Sequence, residues 1–173
     1  MILNTERLIL RPYKVEDYDR VHAYGSVAEV SQYDVWGPNT EDDTRNFIND
    51  KIEKASKSPR YEFEFAVCIK ESGLLIGGCG IRRESQTSRV ANLGYIINPE
   101  LQKKGYATEA TRKLIDFGFK ELDLKIIYAT CDTRNTASYK VMERCRMKKV
   151  GLIEKHKKIR GEMRDMYRYE IYN

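Results

Sequence analysis

The chain has 173 residues, 41% of them hydrophobic and 33% charged, with a formal charge of +5; that is the length of one domain, 1–173, with enough apolar material for a sizeable core. No apolar run approaches the roughly 20 residues that cross a bilayer. MILNTERLILRPY interleaves charges with its apolar residues where a signal peptide has a continuous apolar stretch, so no membrane role is expected and a cytoplasmic address is.

In chain order, ERLILRPY alternates as a first strand, and Pro12 suits its end because proline cannot donate to a ladder. Val15, Tyr18, Val21 and Tyr24 recur at helical spacing until Gly25. After YDVWGPNT, Thr40 with Asp43 reads as a capping box for a helix whose apolar face is Phe47, Ile48, Ile52 and Ala55, closed by SKSP. Tyr61, Phe63, Phe65, Val67 and Ile69 alternate strictly; ESG then turns the chain into LLIGGCGIRRE, the partner of a hairpin, and VANLGYII is the next strand of the meander. GGCG, at 77–80, reads as close strand packing, and with no GxxxxGK[ST] loop in the chain, ATP and dinucleotides are disfavoured.

A helix bearing Ala107, Ala110, Leu114 and Phe117 on one face follows the turn LQKKGYATEA. A helix start exposes unpartnered N–H groups and roughly half a positive charge, so this turn favours an anion, phosphate above all. A plain strand-to-helix loop with solubilising lysines is the other reading. LKIIYATC is a buried-type strand, NTASYKVMERC a short helix, and two strands close the chain, the last being RDMYRYEIY. Cys68, Cys79, Cys131 and Cys145 form no CxxC pair and read as reduced and structural, and the isolated His22 and His156 lack zinc-ligand spacing, so no metal is assigned. Residues 140–168 hold 11 Lys or Arg against four Asp or Glu. Such a stretch can attract nucleic acid or a ribosome surface, and a solvated basic face without a partner has the same composition.

NLGYIINPELQKKGYATEA resembles the cofactor-binding motif of the GNAT N-acetyltransferases, Gln or Arg, two residues, Gly, one residue, Gly or Ala, here filled by Gln102, Gly105 and Ala107. NTASYKVMER resembles the family's Asn-x-x-Ser helix through Asn135 and Ser138. The resemblance runs from ERLILRP to the last strand, and WGPNT is similar to the branch that acetylates amino termini of ribosomal proteins. It implies a mixed, mostly antiparallel α/β sheet splayed between its fourth and fifth strands, with acetyl-CoA as donor. The diphosphate is expected on the amides from Lys103 and Lys104 through Gly105 and Tyr106 to Ala107. The backbone near Tyr95, Ile96 and Ile97 is expected to polarise the acetyl carbonyl, and Asn135 to hold the pantetheine.

Three positions depart from the family pattern. Met142 stands where many relatives have a tyrosine acid, which passes that role to Ser138 or Tyr139; Ser138 on position alone is equally a small helix residue bonding its own backbone. Asn92 stands where relatives often have glutamate, and it cannot take a proton from an amine. Arg146-Met147 replaces the usual Gly-Phe. Tyr33 and Trp36 lie in the loop that shapes the family's acceptor pocket, although a lone tryptophan commonly plugs a core edge. Glu62 and Glu64, in the polar phase of their strand, could line the acceptor groove or simply face solvent.

The expectation is an acetyl-CoA-dependent N-acetyltransferase, monomer or homodimer, that transfers the acetyl group by direct attack of a protein amino terminus, with ribosome contact among its partners. The alternatives are a small-amine enzyme for polyamines or aminoglycosides, which the basic carboxy-terminal surface disfavours by repulsion, and a non-catalytic acetyl-CoA-sensing or ribosome-binding module.

Overall fold

The structure, a computed structural model, describes residues 1–173. A two-residue strand β1 (Leu3–Asn4) precedes β2 (Leu8–Arg11), α1 (Tyr18–Gly25) and α2 (Glu41–Ser56), and the meander β3 (Glu62–Ile69), β4 (Leu75–Arg83) and β5 (Val90–Ile97) follows. Then come α3 (Tyr106–Lys120), β6 (Ile126–Asp132), α4 (Thr136–Arg144), β7 (Lys148–Ile159) and β8 (Glu162–Tyr172). The strands make one sheet in the order β1-β2-β3-β4-β5-β6-β8-β7, antiparallel except where β5 meets β6. The mixed α/β sheet matches the expectation, with the predicted fourth and fifth strands now β5 and β6 because Leu3–Asn4 adds a strand.

Helices α3 and α4 cover one face and α1 and α2 the other. On the first, Leu8, Leu10, Phe65, Ile81, Leu114 and Ile127 are almost wholly buried, and Phe117 meets Phe63 edge-on at 5.3 Å. Gly118 lets α3 lie close: a Cβ there would stand 2.7 Å from Ile127 Cδ1 and 2.9 Å from Ile81 Cδ1. On the second face Tyr13, Val21, Tyr24 and Ile48 pack over Ala66, Cys68 and Leu75. The capping box of α2 is present, with the Asp43 amide donating to Thr40 Oγ1 at 3.1 Å and the Thr40 amide to Asp43 Oδ2 at 2.9 Å. All four cysteines are buried and unpaired, as read from their surroundings in sequence.

Arg146-Met147 builds the turn that Gly-Phe would build. Arg146 is left-handed, φ 64°; its amide donates to the Glu143 carbonyl at 2.9 Å and the Met147 amide to the Met142 carbonyl at 3.0 Å. That is the Schellman pattern, completed by contact-sized apolar residues at its two ends, and both Met142 and Met147 are buried. A side chain at positive φ costs about 1–3 kcal/mol, against about 0.5–1 kcal/mol for glycine's extra chain entropy. Arg146→Gly should therefore raise stability by about 1 kcal/mol in urea denaturation at an unchanged m-value, and a loss of stability would contradict this account of the turn.

Candidate active site

The site begins where two strands part. β5 pairs with β4 from Ala91 to Ile97, but with β6 only through Val90–Ile126, Ala91–Ile127 and Asn92–Tyr128. Beyond Tyr128, β6 stays with β8 as far as Asp132–Met166. The edges of β5 after Asn92 and of β6 after Tyr128 therefore face a gap.

The turn that follows β5, LQKKGYATEA, closes the far end of this gap. Gln102 Nε2 donates to the Ile97 carbonyl at 2.9 Å, so the first residue of the motif folds the loop back onto β5. Lys103 at φ 62° and Gly105 at φ 84° are both left-handed, which turns successive amides to one side. The amides from Lys103 to Thr108 donate to no backbone carbonyl, the first ladder bond of α3 being Glu109 N–H to Gly105 O at 3.0 Å. Six free N–H groups at a helix start with two lysines beside them fit a diphosphate.

Sequence reasoning missed what holds this turn. Glu109, in the first turn of α3, accepts from Thr5 Oγ1 at 2.6 Å, from the Arg7 amide at 2.8 Å and from Arg7 Nε at 2.7 Å. Arg7 Nη1 also donates to the Lys104 carbonyl at 3.1 Å, and its guanidinium lies over the Tyr106 ring at 4.8 Å. Burial alone would raise the Glu109 carboxyl; Thr5 and Arg7 outweigh it and hold it below the usual range. Nothing in the sequence links residues 102 positions apart, so only the fold reveals this anchor.

Across the gap stands α4. Asn135 caps it, Oδ1 accepting from the Ser138 amide at 3.0 Å, a bond worth about 1 kcal/mol to the helix. Tyr95, from β5, donates its hydroxyl to the Ser138 carbonyl at 2.7 Å and lies 3.2 Å from Ser138 Oγ. Two of the predicted residues, Tyr95 and Ser138, thus meet at the gap. Tyr139 does not join them, its ring packing edge-on to Tyr167 at 6.1 Å. Ile97 is buried in the core and Ile96 faces the α1–α2 side, so what those two residues offer the gap is backbone. Ala107 packs partly buried against the core.

The α1–α2 face is built differently. In one row across the strands lie Glu64, Gly80 and Gly94, and in the next Glu62, Arg82 and Asn92. Neither glutamate simply faces solvent, which corrects one of the two sequence readings: the Glu62 side chain is 13% exposed and ion-paired with Arg82 Nε at 3.1 Å and Lys54 Nζ at 3.3 Å, while the Glu64 side chain is 24% exposed with Lys51 Nζ at 3.8 Å. Both lie beside α2. Tyr33 and Trp36 are half-buried, and their loop is tied to the tip of the β7–β8 hairpin by Arg160 Nη2, which donates to Ser31 Oγ at 3.1 Å.

A parted mixed sheet with a diphosphate-ready turn at its mouth defines an acyltransferase that works on a CoA thioester. Residues 7–148 match the acetyltransferase (GNAT) domain, and the chain belongs to that family, whose donor is acetyl-CoA. It is 34% identical to the N-acetyltransferase p20 of Bacillus licheniformis over 98% of this chain and 94% of that protein. A GNAT-family acetyltransferase from Bacillus anthracis superposes with a TM-score of 0.89 at 34% identity, covering 99% of this chain and 98% of that one. The same fold, at 23% and 24% identity and TM-scores of 0.82 and 0.81, occurs in the ribosomal-protein-S5-alanine acetyltransferase of Vibrio fischeri and in the spermidine N-acetyltransferase of Vibrio cholerae bound to CoA and spermine, each covering at least 97% of this chain and 96% of its own.

Gly105→Glu should raise the calorimetric Kd for CoA more than 100-fold, because the new carboxylate stands among amides meant for phosphate. Gly105→Ala carries the same strain of positive φ, about 1–3 kcal/mol, without the charge, and should weaken CoA far less. Equal losses in the two folded variants would mean that shape, and not charge, matters at this turn.

Proposed function

We propose that this N-acetyltransferase acetylates the α-amine of a protein amino terminus, by direct transfer. The observation that carries the reading is the charge balance of the α1–α2 face, where Glu62, Glu64 and Asp50 are matched by Lys51, Lys54 and Arg82. A polyamine needs carboxylates left free for its second and third cations, and the basic β7–β8 hairpin beside the loop repels them. An α-amine of pKa about 8 is neutral roughly a fifth of the time at pH 7.4, a lysine side chain at about 10.4 only about a thousandth. That difference favours amino termini over lysines.

Acetyl-CoA supplies the activated acyl group. The turn from Lys103 to Ala107 holds its diphosphate, Asn135 keeps α4 in register beside the gap, and Ser138, bonded to Tyr95, gives a proton to the departing sulfur. Direct transfer is supported by the thiols: burial pushes Cys131 and Cys145 up to about 11 and Cys79 well above its ordinary value, so none is a ready thiolate for a covalent acyl carrier. No helix is long and apolar enough to cross a membrane, in keeping with a cytoplasmic acceptor such as a ribosomal protein.

Labelled acetyl-CoA offered with a lysine-free peptide, an amino-terminally blocked lysine peptide and spermidine decides among the acceptors. The free amino terminus should exceed the lysine peptide at least 10-fold in kcat/KM at pH 7.4; preference for spermidine would overturn the reading, and label on none would leave a sensing module. With the preferred acceptor, Ser138→Ala should lower kcat about 100-fold and move the KM for acetyl-CoA by no more than a few-fold, since a proton donor acts in the transition state.

A further inference from the structure

We infer that Glu64 is the general base of the transfer, taking the proton of the acceptor amine on the α1–α2 face of the sheet. The inference rests on amine acetylation, whichever amine is used.

Side chains along β5 alternate, so Tyr95 points to α4 and Ser138 while Gly94 and Ile96 point to the other face. The departing sulfur needs a proton donor and the amine nitrogen a proton acceptor, the two atoms diverge from the reacting carbon, and the gap connects the two faces of the sheet. Asn92 cannot accept the amine's proton. Glu64 is the carboxylate in the row of Gly94, and its head lies in the space that a Cβ on Gly80 would need, with Oε1 2.8 Å from that position. Gly80 thus lets the carboxylate lie across β4 toward β5. A Cβ on Gly94 would meet nothing within 4 Å, which leaves open space between the carboxylate and the parting strands for an amine or one bridging water. No hydrogen-bond donor is spent on this carboxylate; Lys51, at 3.8 Å, is its ion-pair partner.

The charged groups around it come from each packed element: Lys51 and Lys54 from α2, Glu62 from β3 and Arg82 from β4, with Tyr13 and Cys79 within electrostatic reach. Burial raises the Glu64 carboxyl above its ordinary value against the pull of Lys51 and Arg82, which makes it a better proton acceptor. In the step itself the amine lone pair forms the N–C bond and the C–S bond breaks, its electron pair leaving on sulfur. The extra proton on nitrogen passes to Glu64, and sulfur takes one from Ser138, which regains it from solvent water. Glu64 then loses its proton to solvent past Gly94.

The test is the pH profile of kcat/KM for the lysine-free peptide. With both a neutral amine and an ionised Glu64 required, log kcat/KM should rise with slope 2 below the Glu64 pKa and slope 1 from there to the amine pKa. Glu64→Gln should fall about 100-fold at pH 7.5, show slope 1 throughout and bind CoA unchanged. Gly80→Ala displaces the far end of a flexible side chain and should reproduce the loss without adding to Glu64→Gln in the double variant. Slope 1 in the wild type, or an unaltered rate in Glu64→Gln, would overturn the assignment. If the peptide stays unlabelled and another amine is acetylated, the amino-terminal reading fails, and the same profiles read with that amine decide Glu64 separately. Label on no amine removes both.

Discussion

Three parallel residue pairs join β5 to β6, and the chemistry depends on their stopping at Asn92 and Tyr128. A strand edge in a protein interior must find partners for its N–H and C=O groups. Here two edges part while each strand keeps the partner on its other side, β5 with β4 and β6 with β8. The gap can accept an extended ligand carrying its own amides, which the pantetheine of CoA has. Full pairing of β5 with β6 would make a more regular sheet and leave nowhere for a thioester to lie.

The parted strands need bracing, and the braces come from far along the chain. Thr5 and Arg7, in the segment joining β1 to β2, fix Glu109 and the Lys104 carbonyl, so the turn before α3 is fastened to the amino-terminal segment. On the other side of the gap, the Asn135 cap and the Tyr95 hydroxyl secure the start of α4. These bonds are polar and lie at the rim of the gap, while the larger apolar cluster lies beneath α3 and α4. That separation lets the site keep free amides without weakening the core.

Much of this was legible in sequence. The alternation of Phe63, Phe65 and Val67 and the face of Ala110, Leu114 and Phe117 gave strand and helix because burial imposes those periods; all six are buried. Gln102, Gly105, Asn135 and Ser138 stand out in sequence through their resemblance to the family's two motifs, and two of them have backbone roles that suit their residue types, Gly105 at φ 84° and Asn135 as the cap of α4. What stayed hidden was long-range. Arg7 with Glu109 and Tyr95 with Ser138 meet through topology, which no local pattern encodes. Glu62 and Glu64 alternate like solvent-facing residues, yet α2 lies beside them, and its lysines were only recognisable as partners once the helix was placed. Met142 stands where a tyrosine acid would be expected, and it is buried in the core as packing.

The two ends of the sheet have something in common that bears on how the molecule behaves in a crowded solution. β7 is an edge strand in which five of twelve residues are lysine, and its register slips at Lys149–Gly151 and again at Ile153–Lys157. An antiparallel copy laid against it would bring ammonium groups toward ammonium groups over a ladder interrupted twice. At the other edge β1 offers only Leu3 and Asn4, too short to template a strand. Lysines, bulges and brevity are the usual means by which sheets refuse to grow. Much of the carboxy-terminal basic charge thus has a use that requires no nucleic acid, keeping an eight-stranded sheet from acquiring a ninth strand from its neighbours.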